Sequence, residues 1–464
     1  MPTTFLFGII YIMSENKRRF RLSPSMQIIL GFTALILLGT FLLALPISNK
    51  DGMWLNGVDA FFTSTSAVCV TGLIVVDTAV QFSLFGQFVI MFLIQIGGLG
   101  IVSITSLIFL MLKKKISFSN RLTLKESLNR DSVQGVVTFI KRVIITTFII
   151  EGCGVLLLLY STITFTGSFW KGLFSAIFMA ISSFCNAGFD VFGVETEQFI
   201  SLSAFASNVL MLLPIMMLII LGGIGFIVLT GGIKNIRTNQ HIRVVVIVTL
   251  ILIFGGAIGF MLAEWNNTLT IGGMSTGDKI LNSFFQSVST RTAGCATFDQ
   301  GGLTIVGQVI TIILMFIGGS PTSIAGGIKT TTLFVLFVFL IKRSNSNGTI
   351  VYKDRKFSST MIFKAIKIVL YSLIVVVVSS IIILAIEGEA VSPMSVIYEC
   401  VSAISTVGLT MGITPYLTIA SKIVLALVMF IGRVGMLTIV LALSTKVDAS
   451  IEQIEYTNTD IIIG

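Results

Sequence analysis

Four short segments of this chain end in a glycine at a repeating interval, and the chemistry they offer is that of the main chain. They read Phe62 to Leu73 (FTSTSAVCVTGL), Phe178 to Phe189 (FMAISSFCNAGF), Phe284 to Cys295 (FFQSVSTRTAGC) and Tyr398 to Leu409 (YECVSAISTVGL). Each carries an aromatic residue ten positions before its glycine, and Gly72, Gly188, Gly294 and Gly408 are 116, 106 and 114 residues apart. Glycine permits backbone angles that aim carbonyls toward one axis, and rings of carbonyl oxygens can replace the hydration shell of a cation. The candidate coordinating stretches are Val70-Thr71-Gly72, Asn186-Ala187-Gly188, Thr292-Ala293-Gly294 and Thr406-Val407-Gly408. A turn glycine would explain any one of them, but not four in register.

Other chemistries are poorly supplied. The five cysteines (Cys69, Cys153, Cys185, Cys295 and Cys400) show no CxxC spacing, and the single histidine, His241, sits in a basic link and reads as a solvated loop residue. A zinc site or a Cys/His catalytic pair is therefore not expected. The glycine-rich run at 97–100 lies inside an apolar stretch rather than after a strand, so it is no dinucleotide fingerprint, and no P-loop is present. Chemistry of the enzymatic kind is not expected.

The elements that position the four segments follow from composition. With 55% hydrophobic and only 11% charged residues among 464, and a mean hydropathy of +1.01, the chain is an all-α integral membrane protein. Each unit of about 110 residues has one order: an apolar span, a polar or acidic link, the short segment, then a second span leading into a basic link. The first spans are expected at 26–46, 140–163, 243–263 and 366–386, and the second at 84–112, 206–231, 305–341 and 418–445. Eight transmembrane spans result, with four re-entrant loops in pseudo-fourfold arrangement around one central pore. Non-helical backbone at membrane depth is tolerated only where it lines a wet cavity or is buried in protein. The division is a start at 1–25, repeats at 26–112, 140–231, 243–341 and 366–445, links at 113–139, 232–242 and 342–365, and a tail at 446–464. The apolar run at 5–13 is too short to span and lacks a cleavage-like pattern, so it is not read as a signal peptide, and Met13 offers an alternative start.

The formal charge of +9 is not one patch, so no nucleic-acid partner is implied. Basic residues cluster in alternate links: Lys17 to Arg21, Lys113 to Arg142, Lys234 to Arg243, Lys342 to Lys367, and Lys446. The positive-inside rule places these links and both termini in the cytoplasm. Asp51, Asp77, Asp190, Glu195, Glu197, Glu264, Asp299, Glu387 and Glu389 then fall outside, where they either concentrate cations or simply keep the loops soluble.

The second spans share a further mark: Gly97-Gly98, Gly222-Gly223, Gly318-Gly319 and, in the fourth, Gly432-Arg433. Small residues there permit close helix approach or a bend. In the third unit the pair opens a run of Gly318, Gly319, Ser320, Pro321, Thr322, Ser323, Ile324, Ala325, Gly326, Gly327, Ile328 and Lys329. Proline removes a donor and clustered glycine weakens a helix, so a broken helix is expected, with a simple kink as the plainer reading. Arg433 costs about 2.5 to 3.5 kcal/mol at mid-membrane and must face protein or water.

Taken together, these loops and this layout resemble the Trk/Ktr/HKT superfamily of potassium transporters. Eight spans from residue 26 onward make the chain most similar to a Ktr-type membrane subunit, over nearly its whole length. The resemblance implies potassium uptake across the plasma membrane of a prokaryote, and in plant relatives glycine in all four loops accompanies potassium selectivity. One glycine per loop implies a shorter filter than that of tetrameric channels. Cys295 departs from the phenylalanine usual there. Arg291 is expected behind the filter, bracing it through hydrogen bonds to carbonyls or acids. The loop from Gly318 to Gly327 is implied to be a gate beneath the filter. Arg433 below it either limits flux or makes a structural salt bridge, and Lys329 is either gate hinge or loop anchor. Glu151 reads as an internal hydrogen-bond partner. The resemblance also implies a homodimer in membrane lipid, on a ring of cytosolic nucleotide-binding subunits that would carry any nucleotide, and it leaves sodium coupling open.

Two readings from other classes make different demands on the sequence. A small-solute transporter would need inverted repeats and an occluding pocket, and a membrane enzyme would need clustered His, Asp or Glu at membrane depth.

Overall fold

A computed structural model describes residues 23–100, 136–194, 198–231, 236–342, 350–352, 355–435 and 438–439. Lys17 to Arg21, Lys113 to Arg130, Lys234, Arg343, Lys353, Glu195, Glu197, Lys446 and the tail at 446–464 lie outside them.

Four helices are long and apolar enough to cross a bilayer: α1 (Pro24–Ala44), α4 (Val136–Thr166), α7 (Gln240–Glu264) and α11 (Ser359–Glu387). Each is apolar all round, and large side chains such as Leu37, Leu156, Leu262 and Ile381 stand exposed. Water would not tolerate that face; hydrocarbon does.

After each long helix comes a short one: α2 (Gly57–Cys69), α5 (Phe169–Phe184), α8 (Thr276–Ser289) and α12 (Pro393–Ser405). Three begin with a side-chain cap, from Asn56, Ser275 and Ser392, which satisfies a helix-end amide. Their inner halves are rich in Ser and Thr yet fully buried. Some of these hydroxyls donate to carbonyls of the preceding long helix, as Ser64 does to Ile36 (2.7 Å) and Ser287 to Ile253 (2.7 Å).

The second apolar helices are α3 (Leu84–Leu99), α6 (Val209–Ile224), α9 (Ile305–Phe316) with α10 (Thr330–Ile341), and α13 (Ile419–Val434). Ser83, Asn208, Thr304 and Thr418 cap the starts of α3, α6, α9 and α13 in the same way. In the third and fourth units a glutamate closing the long helix grips that cap. Glu264 accepts from the Thr304 amide (3.0 Å) and hydroxyl (2.6 Å), and Glu387 from those of Thr418 (2.9 and 2.7 Å).

The break expected in the third second span is present, between α9 and α10, and the helices of the other three second spans end early as well. α3, α6 and α13 stop at Gly100, Gly225 and Gly435, with φ of 83°, 96° and 90°. Each lies three residues after the first glycine of the pair, and that first glycine explains the close approach. A Cβ on Gly97, Gly222 or Gly432 would collide with the carbonyl oxygen of Val68, Phe184 or Ile404, near the end of the short helix in the same unit. In the third unit the break widens to 317–329, where Ile317 and Ile328 form an isolated bridge.

Two further differences from the sequence reading emerge. The basic link between the third and fourth units holds an antiparallel hairpin, β1 (Ile350–Tyr352) with β2 (Arg355–Phe357), in an otherwise helical set of described residues. His241, expected in a solvated loop, lies half-buried in the first turn of α7, behind the Asn239 cap.

Candidate ion-binding site

All four glycine segments adopt one backbone form. The residue two before each glycine is left-handed: Val70 (φ 56°), Asn186 (54°), Thr292 (75°) and Thr406 (51°). The glycines follow with φ of 93°, 70°, 77° and 96°. Left-handed geometry costs a β-branched or bulky residue about 1 to 3 kcal/mol, so the surroundings must hold it. They do so through the short helices: the amides of Thr71, Ala187, Ala293 and Val407 return to the carbonyls of Ser66, Ser182, Ser289 and Ser402 at 2.8 to 2.9 Å.

The segments meet in a closed cycle. A Cβ on Gly72 would lie 2.5 Å from the Ala187 carbonyl oxygen, and one on Gly188 would lie 2.9 Å from that of Ala293. One on Gly294 would overlap the Val407 oxygen, and one on Gly408 the Thr71 oxygen, which returns to the first segment. Each glycine thus faces the carbonyl of the residue preceding the next glycine. The ring contains no charged side chain, and the C-terminal ends of four short helices converge on it, a dipole arrangement that favours a cation.

The side chains behind the ring divide two and two. Ser66 and Ser402 accept from the amides of Gly72 and Gly408, both at 3.0 Å. In the other two units Ser182 donates to the Phe189 carbonyl (2.6 Å), and Ser289 donates to that of Cys295. Asn186 and Thr292 meet across units, the amide lying 3.2 Å from Thr292 Oγ1. With the amide oxygen accepting that hydroxyl, the nitrogen reaches the carbonyls of Ser183 (3.0 Å) and Ile219 (3.3 Å).

Sequence reasoning overlooked a further buried polar layer. Gln286 donates to Gln300 (2.5 Å), which also accepts from the Tyr398 hydroxyl (3.2 Å), tying the third unit to the fourth. Glu399, also buried, accepts from the Thr410 and Thr414 hydroxyls and the Met411 amide, and so fixes the chain beyond Gly408. The available signal was Gln286 and Glu399, an amide and an acid inside short helices that must be buried. Outside the spanning helices and just past Gly188, burial pushes the Asp190 carboxyl up to about 7, with the neighbouring charge of Asp77 adding to the rise.

The segment 317–329 touches all three other units beneath the ring. Ile324 alone makes three of these contacts: its amide donates to Gly222 (3.3 Å), its carbonyl accepts from Arg433, and its side chain lies beside Gly98. Gly326 packs against Thr406 and Ser405, and Ser320 donates to Gly223 (2.9 Å). Gly318 lies against Gly326 and Gly327, Gly319 against Ala325 and Ser323, and Pro321 O against Gly225; Thr322 O accepts the Phe226 amide. Arg433 also donates to Gly97 and, at 3.0 Å, to Gly98. Carbonyls, not an acid, are its partners among the described residues. Lys329 donates to Ala325 and Gly326 within its own segment, the geometry of a loop anchor. Glu151 accepts from Gln95 at 3.1 Å.

Arg291 departs from expectation. Its guanidinium has no hydrogen-bond or ionic partner among the described residues, although it is 93% buried (7% exposed). Those residues also hold no group of three His, Cys, Asp or Glu able to bind a metal ion.

The chain as a whole is similar to known proteins. The TrkH family, described as cation transport protein, matches residues 8–453. The chain belongs to that family. Its relatives include the potassium/sodium uptake protein NtpJ of Enterococcus hirae, 38% identical over 98% of this chain and 100% of that one. The Ktr system potassium uptake protein B of Bacillus subtilis is 37% identical over 96% and 97%. A crystal structure of the potassium transporter TrkH from Vibrio parahaemolyticus shares the fold, with a TM-score of 0.72 at 18% identity over 93% of this chain and 86% of that one. The kinship read from the four loops therefore holds.

Proposed function

We propose that the chain carries potassium into the cell through the ring formed by Gly72, Gly188, Gly294 and Gly408. The observation that supports this best is the closed glycine-to-carbonyl cycle, because main-chain oxygens around one axis are the ligands a dehydrated potassium ion needs. Full-length relatives named for potassium or potassium/sodium uptake favour the same cargo. Around this filter we place four helix, pore-loop, helix repeats and eight spans in the cell membrane, with the basic links and both termini on the cytoplasmic side.

The segment from Gly318 to Gly327 is the gate in this reading. Its contacts with the other three units support a position across the exit from the ring, where Arg433 would hold it while adding positive charge to the cation's path. Two Bacillus subtilis relatives are named as Ktr system proteins, which favours work with a separate regulatory subunit; we place a homodimer on a cytosolic nucleotide-binding partner as part of the same reading. NtpJ, named for potassium and sodium, makes sodium coupling the variable to measure.

The experiment is complementation of a potassium-uptake-deficient bacterium at limiting potassium, with and without a cytosolic partner, comparing wild type with Gly72→Ser and Gly294→Ser. Growth restored by wild type, and loss of potassium preference in membrane-inserted serine variants, is the expected result. Serine variants that behave as wild type would remove the filter assignment.

A further inference from the structure

The aromatic ten positions before each ring glycine is phenylalanine in three units and Tyr398 in the fourth. Its extra hydroxyl is fully buried, where an unpaired polar group is costly. It donates to Gln300 Oε1 of the third unit at 3.2 Å, and the Thr311 hydroxyl on α9 is a second neighbour. The Gln300 amide is fully used. Its oxygen also accepts from Gln286 (2.5 Å), and its nitrogen donates to the Phe298 carbonyl (3.0 Å) and back to Gln286 (3.4 Å). A primary amide offers two donors and two acceptor sites, and turning this one over would set its oxygen against the Phe298 carbonyl. Gln286, Gln300 and Tyr398 are each no more than 2% exposed.

This cluster joins two rods behind the ring. Gln286 belongs to α8, which leads into the third segment, and Tyr398 to α12, which leads into the fourth. Each rod grips its own segment: the Ala293 amide returns to Ser289, and the Val407 amide to Ser402, both at 2.9 Å. The two segments meet where a Cβ on Gly294 would overlap the Val407 oxygen. From Tyr398 to the last residue of α12, Ser405, is seven residues, about 10 Å at 1.5 Å per residue. A packed interior transmits strain with little slack, so a slide between the rods at Gln300 reaches the Val407 carbonyl. No other unit has an amide at either matching place. Ser64, Ala180 and Cys400 stand where Gln286 does, counted from the ring glycine, and Thr78, Val194 and Thr414 stand where Gln300 does.

We propose that Tyr398 and Gln300 are positioning residues for ion selection, a strut that sets how closely the fourth segment approaches the third and so fixes the Val407 carbonyl in the ring. The inference rests on the ring's being the potassium filter and names a determinant of its preference outside the ring itself.

The test uses the full-length protein in lipid vesicles, with potassium and sodium fluxes measured separately and thermal unfolding followed in parallel. Tyr398→Phe removes one oxygen and installs the residue that the other three units have, so it should fold. The potassium-to-sodium flux ratio should fall about fivefold, equivalent to about 1 kcal/mol for one buried hydrogen bond. Gln300→Leu should lower the ratio at least as far, and in that background Tyr398→Phe should have no further effect, the non-additivity of two residues acting through one bond. Should Gln300→Leu fail to fold, the ratio in Tyr398→Phe decides the matter. A merely structural role predicts a lower unfolding temperature with the ratio unchanged, and that result overturns the proposal. So does an undiminished effect of Tyr398→Phe in the Gln300→Leu background. Wild type without potassium preference removes the filter reading and this strut with it, whereas a wild-type preference left intact by Tyr398→Phe removes the strut alone.

Discussion

Alanine placed at each ring glycine should damage potassium preference in a rank order set by the neighbouring unit. Every such variant has the positive-φ penalty, roughly 1 to 2 kcal/mol for a residue with Cβ. Gly52 isolates that cost, since its φ is 68° and nothing lies within 4 Å of a Cβ there. At Gly188 the new methyl would lie 2.9 Å from the Ala293 oxygen, at Gly72 2.5 Å from that of Ala187, and at Gly294 and Gly408 closer still. Forcing a group into a packed site adds about 1 to 3 kcal/mol, and here relief requires moving the carbonyl that faces the ion. Gly52→Ala should therefore lower thermal stability slightly and leave selectivity intact. Gly188→Ala should be the mildest ring variant, and Gly294→Ala and Gly408→Ala should lose at least about tenfold in potassium over sodium preference, equivalent to about 1.4 kcal/mol. Initial rates of rubidium and sodium uptake, normalised to membrane content, measure this. The reasoning is refuted if Gly52→Ala alters selectivity as much as the ring variants, or if Gly188→Ala is the most damaging of the four.

Three further outcomes are expected. Arg433→Gln removes charge-assisted bonds to Ile324, Gly97 and Gly98; at about 2 kcal/mol it should raise the open fraction roughly thirtyfold, read as uptake that no longer depends on a partner subunit. Glu264→Leu leaves four donors on Asn267, Thr270 and Thr304 without their acceptor, at about 1 to 3 kcal/mol for each that stays buried and unpaired. Thermal unfolding in detergent should show it far less stable than Glu387→Leu, whose Thr418 donors reach solvent. Asp190, with its carboxyl near 7, is charged above that pH and neutral below it. Lowering the pH from about 8 to 6 should thus weaken apparent potassium affinity, by up to about fivefold for a nearby charge worth about 1 kcal/mol. Asp190→Asn should show the weaker affinity at both pH values and abolish the dependence.

Much of the ring was legible because its constraint is covalent and local. A glycine two residues after a left-handed position, repeated four times, leaves a spacing that survives divergence of everything between. In three of the four units the aromatic ten residues earlier has a reason too, since Phe62, Phe178 and Tyr398 are fully buried, whereas Phe284 is half-buried. What stayed hidden was whatever leaves hydropathy unchanged. The stops at Gly100, Gly225 and Gly435 have apolar residues before them and, at 101–102 and 226–229, after them, so a smoothed profile runs through them. Yet the third-place glycine, replaced by Pro321 only in the unit with the long break, was there to be read. Ser66, Ser182, Ser289 and Ser402 were hidden differently. Their partners are main-chain atoms, which leave no complementary residue in the sequence. Arg291 was misread because a buried arginine implies an acceptor, and sequence alone cannot show that no described residue supplies one.

The central claim is that four carbonyl-lined glycine segments select potassium. It is tested most directly by reconstituting purified protein in vesicles and measuring flux under imposed potassium or sodium gradients, without other cellular components. Potassium flux exceeding sodium flux in wild type, with the ratio collapsing in Gly408→Ala but not in Gly52→Ala, is the predicted result. Equal flux of both ions through wild type, or a ratio unmoved by Gly408→Ala, would contradict it.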